Sequence, residues 1–319
     1  MPTHVIVTRD FDHMSEAAAN IVVDDIRRTL ATRDSYVLGL ATGNSPTGLY
    51  KHLARAANAG AFEAGRVCSF NLDEYIGLPG ENAQQRALHP ESYTFFMIQE
   101  LFGLLHTKFK ETNVPWGTLV EQRDLEQALA ASPQDYEILG TDVGKAIVIR
   151  RDPTSPFLRW LREEILDDYA AKIEHVGGID LHVVGVGGRG HVGFHEAGIP
   201  FDCSDVCVVK LDDNTIANAV ADGHFASVEE SPRFAVTMTA DLIFRARTVV
   251  VVANGARKTE AVTETLLMEP DCCVPLSYCH QLSGHEGKVV FVLDRTAAAR
   301  ALEEREVLNR RGITVEDRT

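Results

Sequence analysis

YVLGLATGNSPTG, residues 36–48, packs three kinds of structure into one short stretch. Residues 36–40 are a continuous apolar run, the pattern of an interior strand covered on both faces. Residues 41–45 form a turn. Pro46 then suits the first position of a helix capped by Ser45 and continuing through residues 49–57. Strand, glycine turn and helix in that order form the repeating unit of a parallel sheet with helices packed on it. The turn has its own chemistry: Gly43 and Gly48 permit close backbone approach, Thr42, Ser45 and Thr47 offer hydroxyls, and the helix start aims free N–H groups at an anion. It lacks the lysine of a P-loop, which argues against nucleotide hydrolysis.

The unit recurs on both sides. A strand at residues 5–8 leads into an amphipathic helix at 14–32, a strand at 67–72 precedes a helix at 89–105, and residues 180–186 are another buried strand. Further strands are expected at 206–211, 235–237, 248–253, 274–276 and 289–293, with helices at 240–245, 257–267 and 297–311. This alternation predicts an α/β fold in three αβα layers, a mostly parallel Rossmann-like sheet with helices on both faces. Between Lys108 and Phe157 the pattern is broken by Pro115, Pro133, Pro153 and Pro156, leaving a helix at 125–131 and a strand at 146–149. The expected organisation is one domain, residues 1–319, with an inserted excursion at about 113–157 and a helix at 156–174 after it.

Composition narrows the function. With 45% apolar and 24% charged residues, the 319-residue chain has the make-up of an ordinary globular protein with a sizeable core. A formal net charge of -15 argues against nucleic-acid binding, which calls for a basic stripe. An anionic substrate must therefore be attracted locally, by backbone amides, helix N-termini and a few cations. Cys68, Cys203, Cys207, Cys272, Cys273 and Cys279 lie mostly in apolar runs without a repeated CxxC, as buried thiols of a reducing, cytoplasmic protein do. No histidine stands at ligand spacing from Cys272 and Cys273, so no metal is expected there. The apolar stretch in MPTHVIVTRD is too short for a signal peptide, and no window approaches a membrane span.

Two more segments fall after strands, where the ligands of such sheets bind. In FNLDEY, residues 70–75, adjacent carboxylates on extended backbone point in different directions, so one suffices for the site. Asp73 is assigned as the base that takes a proton next to a carbonyl or imine, against the plain alternative of two solvated loop carboxylates. In GVGGRGHVGFHE, residues 185–196, the interval between His191 and Glu196 permits a hydrogen bond that would fix the imidazole tautomer and favour its protonated form. The same turn spells G-x-G-x-x-G at Gly185, Gly187 and Gly190, with Asp212 placed for a ribose, which is the dinucleotide reading. Gly193, Gly198 and Pro200 oppose the helix that this reading needs. NGARK, residues 254–258, opens a helix where Arg257 or Lys258 completes a phosphate site.

Together these stretches resemble the glucosamine-6-phosphate deaminases (isomerases), within the group that shares a fold with 6-phosphogluconolactonase and ribose-5-phosphate isomerase. ATGNSPTGLY is similar to that family's phosphate loop, FNLDEYIGL followed by HPESYTFFM to its base-bearing segment, GVGGRGHVGFHE to its ring-opening turn and NGARK to its lysine-bearing helix start. The resemblance implies conversion of glucosamine 6-phosphate to fructose 6-phosphate and ammonia, without metal or organic cofactor. It implies that His191 assists ring opening, that Glu196 orients His191 and that Asp73 moves a proton between C2 and C1. Thr42, Gly43, Asn44 and Ser45 with Lys258 would hold the phosphate, and Tyr75 and Tyr93 would line the site.

The sequence departs from that pattern in three places. Arg189 replaces an aspartate two residues before the histidine; as a cation it is expected to lower the pKa of His191, and it is a candidate replacement phosphate anchor. Thr215 occupies the position of a phosphate-binding arginine. The excursion is longer than the family's connection before a lid-like helix around residues 169–173. Alternative readings are galactosamine 6-phosphate as substrate, a 6-phosphogluconolactonase-like hydrolase, which Tyr75 disfavours because that group carries arginine there, and a noncatalytic sugar-phosphate sensor. No membrane or nucleic-acid partner is expected, and a homo-oligomer is left open.

Overall fold

The computed structural model describes residues 3–221, 223–280 and 287–319. Eight strands make one all-parallel sheet in the order Thr314–Asp317, Thr3–Thr8, Lys288–Asp294, Thr248–Ala253, Leu181–Gly185, Tyr36–Leu40, Val67–Asn71 and Glu111–Asn113. Its central strands are buried on both faces, which is why their sequences run apolar without alternation. Val249 and Val251 pack with Phe244, Val262 and Leu266 in one core. Val250 and Val252 pack with Met14, Val22 and Leu49 in the other. Helices therefore cover both faces, as the α/β reading requires. Phe11–Leu30 starts where the Asp10 side chain accepts a hydrogen bond from the His13 amide, and it lays Ala18, Val22 and Ile26 on the sheet.

Two expected strands belong elsewhere. Val206–Lys210 and Phe234–Met238 lie in a second, antiparallel sheet, ordered Asp73–Ile76, Phe234–Met238, Val206–Lys210, Lys145–Ile149 and Tyr136–Gly140. Short apolar runs carry no information on strand direction, so the sequence did not separate the two sheets. FNLDEY links them: Val67–Asn71 belongs to the first, Leu72 intervenes, and Asp73–Ile76 is an edge strand of the second.

Other expectations need correction for local reasons. Residues 274–276 are not a strand but enter the 3₁₀ helix Pro275–His280, because Pro275 has no N–H for a ladder. The helix expected at 89–105 is interrupted: Ala83–Ala87 precedes Pro90, and Tyr93–Glu100 starts anew with Ser92 accepting from the Phe95 amide. Within the excursion, Gln122–Ala131 is helical, and Lys145–Ile149 pairs with an unanticipated edge strand, Tyr136–Gly140, whose Ile138 is exposed. Residues 169–173, compared above with the family's lid-like helix, lie in the helix Asp168–His175. Tyr169 and Ile173 are buried, and the Tyr169 hydroxyl donates to the Asn71 carbonyl at 2.7 Å, so this helix packs into the core. Among the described residues no helix is long and apolar enough to cross a membrane.

Candidate active site

The C-terminal ends of four neighbouring parallel strands bring the singled-out segments to one rim. Leu40 pairs with Asn71, Gly39 with His182, and Gly185 with Val252, so the turns after these strands leave the sheet at the same level. Gly43 takes φ = 101°, a left-handed conformation that a side chain would resist, and turns the backbone ahead of the helix Thr47–Asn58. Ser45 does not cap that helix as expected. Its hydroxyl donates to Asn254 Oδ1 at 2.9 Å, joining the phosphate-type loop to NGARK. Asn254 was missed as a contributor because nothing local marks a side chain whose partner is far away in sequence.

The paired carboxylates have separate fates. Both Glu74 oxygens are engaged at the start of the helix Tyr93–Glu100: Oε1 accepts from the amides of Tyr75 and Tyr93, and Oε2 from the Thr94 amide and the Ser92 and Thr94 hydroxyls, all at 2.9 to 3.1 Å. Glu74 is therefore a helix-terminus carboxylate. Asp73 is buried, and its Oδ1 has no hydrogen-bond partner among the described residues. Burial first, then the neighbouring Glu74 charge, raises its pKa well above the ordinary carboxylate range, with the Phe194 amide opposing. Its Oδ2 stands 3.1 Å from where a Cβ on Gly193 would lie, which sets the carboxyl against the loop that carries His191. Tyr75 and Tyr93 flank the carboxylates with ring centroids 5.0 Å apart, Tyr75 lies 5.1 Å from Phe194, and a hydrogen bond links Tyr93 to Thr42.

Gly185 leads not into a Rossmann helix but into a single 3₁₀ turn, Gly188–Gly190, followed by irregular chain. The helix that the disfavoured dinucleotide reading needs is absent among the described residues, and Asp212, which that reading would place at a ribose, faces Arg189 at 3.7 Å. The His191 imidazole lies over Gly187, where a Cβ would sit 1.7 Å from Nε2; only glycine admits the ring. Burial, then the Lys258 ammonium, then His195, press His191 down to about 4. The neutral imidazole replaces the protonated one that the sequence suggested.

The expected His191–Glu196 pair is likewise replaced. Glu196 Oε1 accepts from the Thr215 hydroxyl at 2.5 Å and Oε2 from the Asp212 amide at 2.8 Å. Thr215 thus anchors a carboxylate where an arginine was looked for. Burial pushes Glu196 up to about 7, against the hydrogen bonds from Thr215 and Asp212 and the Arg189 charge. Arg189 therefore acts on Glu196, and the cations and burial named above account for His191. Arg189 also has φ = 54°, a left-handed backbone outside glycine.

A cavity of about 240 Å³ takes in Arg189, His191, Glu196, Asp212, Thr215 and Val143. Asp73 and the Thr42–Ser45 loop border the neighbouring space through Gly193, Phe194 and Tyr93 and do not line this cavity. Sequence reasoning also passed over His195. It is buried, with Nδ1 accepting from the Ala240 amide at 3.1 Å and Nε2 facing the Ile199 carbonyl at 3.1 Å, and it pins the Glu196 turn to the helix Ala240–Phe244.

The arrangement has relatives. Residues 149–290 match the family of glucosamine-6-phosphate isomerases/6-phosphogluconolactonase. The glucosamine-6-phosphate deaminase of Thermoanaerobacter sp. (strain X514) is 32% identical, covering 92% of this chain and 94% of its own length. That of Rhodopirellula baltica is 33% identical, covering 92% and 94%. A monomeric glucosamine-6-phosphate deaminase of known structure superposes with a TM-score of 0.68 at 25% identity, over 93% of this chain and 99% of that one. The 6-phosphogluconolactonase of Trypanosoma brucei, 18% identical with a TM-score of 0.58 over 94% and 98%, shares the fold. The chain belongs to the family of glucosamine-6-phosphate isomerases (deaminases) and 6-phosphogluconolactonases.

Proposed function

We propose that this protein is an aldose–ketose isomerase with deamination, which converts glucosamine 6-phosphate and water to fructose 6-phosphate and ammonia. One observation carries the reading: of two adjacent carboxylates, Glu74 is fully engaged by a helix terminus, while Asp73 keeps a buried oxygen without a partner beside the His191 loop. A desolvated carboxylate with one oxygen free of hydrogen-bond donors is a base poised for a carbon-bound proton.

The phosphate rests on the Thr42, Gly43, Asn44 and Ser45 turn with Lys258 and, from the cavity side, Arg189. Neutral His191 and Glu196 exchange protons between the anomeric hydroxyl and the ring oxygen to open the pyranose. Asp73 takes the C2 proton from the open aldose, whose 2-ammonium gives a proton to the C1 oxygen, and the resulting enolamine is protonated at C1 by Asp73, leaving an iminium at C2. Water adds at C2 and ammonia departs. Tyr75 and Tyr93 supply the wall along the sugar and keep the Asp73 surroundings apolar. These steps need no metal or organic cofactor, and the reading carries with it a cytoplasmic location.

Ammonia release from glucosamine 6-phosphate, coupled to formation of fructose 6-phosphate, is the direct test. Binding of the sugar phosphate with no ammonia released would favour the sensor reading, and hydrolysis of 6-phosphogluconolactone in its place would favour the lactonase reading.

A further inference from the structure

Beyond this site, the segment after the helix Thr259–Leu267 gathers three metal-ligating side chains. One ligand atom from each of Asp271, Cys272 and Cys273 lies within 4.8 Å of the other two. Tetrahedral zinc, with zinc–sulfur bonds of about 2.3 Å, places its sulfur ligands about 3.8 Å apart, a spacing close to the one found here. Cys273 is exposed and Cys272 half-buried, which leaves the thiols open to an ion from solvent. The carboxylate is already held beside them, because Asp271 Oδ1 accepts from the Cys273 amide at 2.7 Å.

The same segment grips both ends of the loop bearing His191 and Glu196. The Cys272 carbonyl accepts from the Gly198 amide at 2.8 Å. Val274 Cγ1 stands 2.6 Å from where a Cβ on Gly190 would lie, so the Val274 side chain packs directly on the Gly190 backbone. Drawing the three side chains around an ion pulls on both contacts.

We propose that Asp271, Cys272 and Cys273 bind a thiophilic divalent cation of the zinc or cadmium class, and that binding displaces the loop between Gly190 and Gly198. Thiolates select such ions over magnesium or calcium. Three protein ligands leave a fourth position for water, which suits a reversible inhibitory site.

Cadmium titration of the whole chain, followed by thiolate-to-metal charge-transfer absorption, tests the binding without reference to activity. One equivalent is expected to bind, and Cys272→Ser and Cys273→Ser each to weaken it by more than the roughly 10–100-fold that loss of a supporting partner costs. Asp271→Asn, which keeps the acceptor for the Cys273 amide, should weaken it less, and Cys203→Ser should leave it unchanged. Absorption that survives in the Cys272→Ser, Cys273→Ser double variant overturns the site. Hydrogen exchange over residues 188–199 tests the coupling: a change on cadmium addition that the double variant lacks is expected, and unchanged exchange in the saturated wild type overturns it. The accompanying loss of ammonia release, absent in the double variant, rests on the proposed function; the absorption and exchange results stand without it.

Discussion

The rim, where Asp73 meets the Gly43 turn, and the wall, where the Glu196 turn packs on the hairpin of the antiparallel sheet, hold their polar groups in opposite ways. On the rim, Asp73 Oδ1 is left without a partner and the Gly43 turn opens toward a ligand. On the wall, both oxygens of Glu196 are occupied, and the hairpin turn between Tyr136–Gly140 and Lys145–Ile149 presses against it. In the proposed function the rim receives the substrate and the wall tunes one proton. The variants below set one against the other.

The largest effect is expected at the rim. Asp73→Asn should lower ammonia release by about 10²–10⁴-fold, the range for loss of a positioned acid–base group, while the sugar phosphate still binds. Its neighbour should behave in the opposite sense. Glu74→Gln weakens the start of the helix Tyr93–Glu100 and should cost about 1–2 kcal/mol of stability in denaturant titration, with most of the turnover kept. Equal kinetic losses in the two variants would erase the distinction between a free and an engaged carboxylate.

Next comes the proton on the wall. With Glu196 at about 7 and His191 at about 4, the imidazole is neutral across the working range and the carboxyl titrates within it. If Glu196 donates the proton in the proposed ring opening, kcat/KM should decline above about pH 7. Glu196→Gln should remove that decline and lower the plateau by roughly 10²-fold. Folding stability follows the same groups. The raised Glu196 pKa gives stability that is full below its ordinary 4.5 and lost as pH rises to about 7. His182, His191 and His195, all lowered from 6.5 to about 4, give stability that is present above 6.5 and lost as pH falls toward 4. Denaturant midpoints measured across pH should show both limbs, and His182→Leu should flatten only the acid one.

A smaller effect belongs to the excursion. A Cβ on Gly144 would lie 2.6 Å from the Ala197 carbonyl oxygen and 2.8 Å from Glu196 Cβ, so Gly144→Ala must push the hairpin turn and the Glu196 turn apart. Turnover should fall by about 10-fold or more, since a displacement near 1 Å at a catalytic group costs up to about 10²-fold. Overpacking should also lower stability by about 1–3 kcal/mol. A stability loss with unaltered turnover would show that the hairpin does not position Glu196.

This division follows what a single sequence can encode. Rim features are local: an apolar run, a glycine turn and a following helix lie within a few residues, so the α/β fold and the Thr42–Ser45 turn could be read directly. Alternation along one strand was enough to foresee that Asp73 and Glu74 would face different ways. The wall depends on partners far apart in the chain. Glu196 meets Thr215 and the Asp212 amide only after the chain has passed through the strand Val206–Lys210, and Ser45 meets Asn254 across the sheet. The His191–Glu196 pairing inferred from spacing failed because interval alone does not tell which of several acceptors and donors a folded turn brings closest. The antiparallel sheet was illegible for a related reason: Val206–Lys210 and Phe234–Met238 are buried like parallel strands, and their direction is fixed by pairing with each other, with Lys145–Ile149 on one side and Asp73–Ile76 on the other.

Arg189 lies on the seam between the two regions, and its replacement separates them most finely. The side chain is half-exposed and faces Asp212 at 3.7 Å, so its field is partly screened. Within the site its charge lowers the pKa of Glu196. Arg189→Gln removes the cation without placing glycine at the left-handed backbone position, so charge is the variable that changes. With the cation gone the Glu196 carboxylate is less stabilised, its proton is held to higher pH, and the alkaline limb of kcat/KM should move up by less than about one unit. An unmoved limb with a raised KM would leave Arg189 a phosphate ligand alone. A moved limb with an unchanged KM would place it on the wall, tuning Glu196 alone.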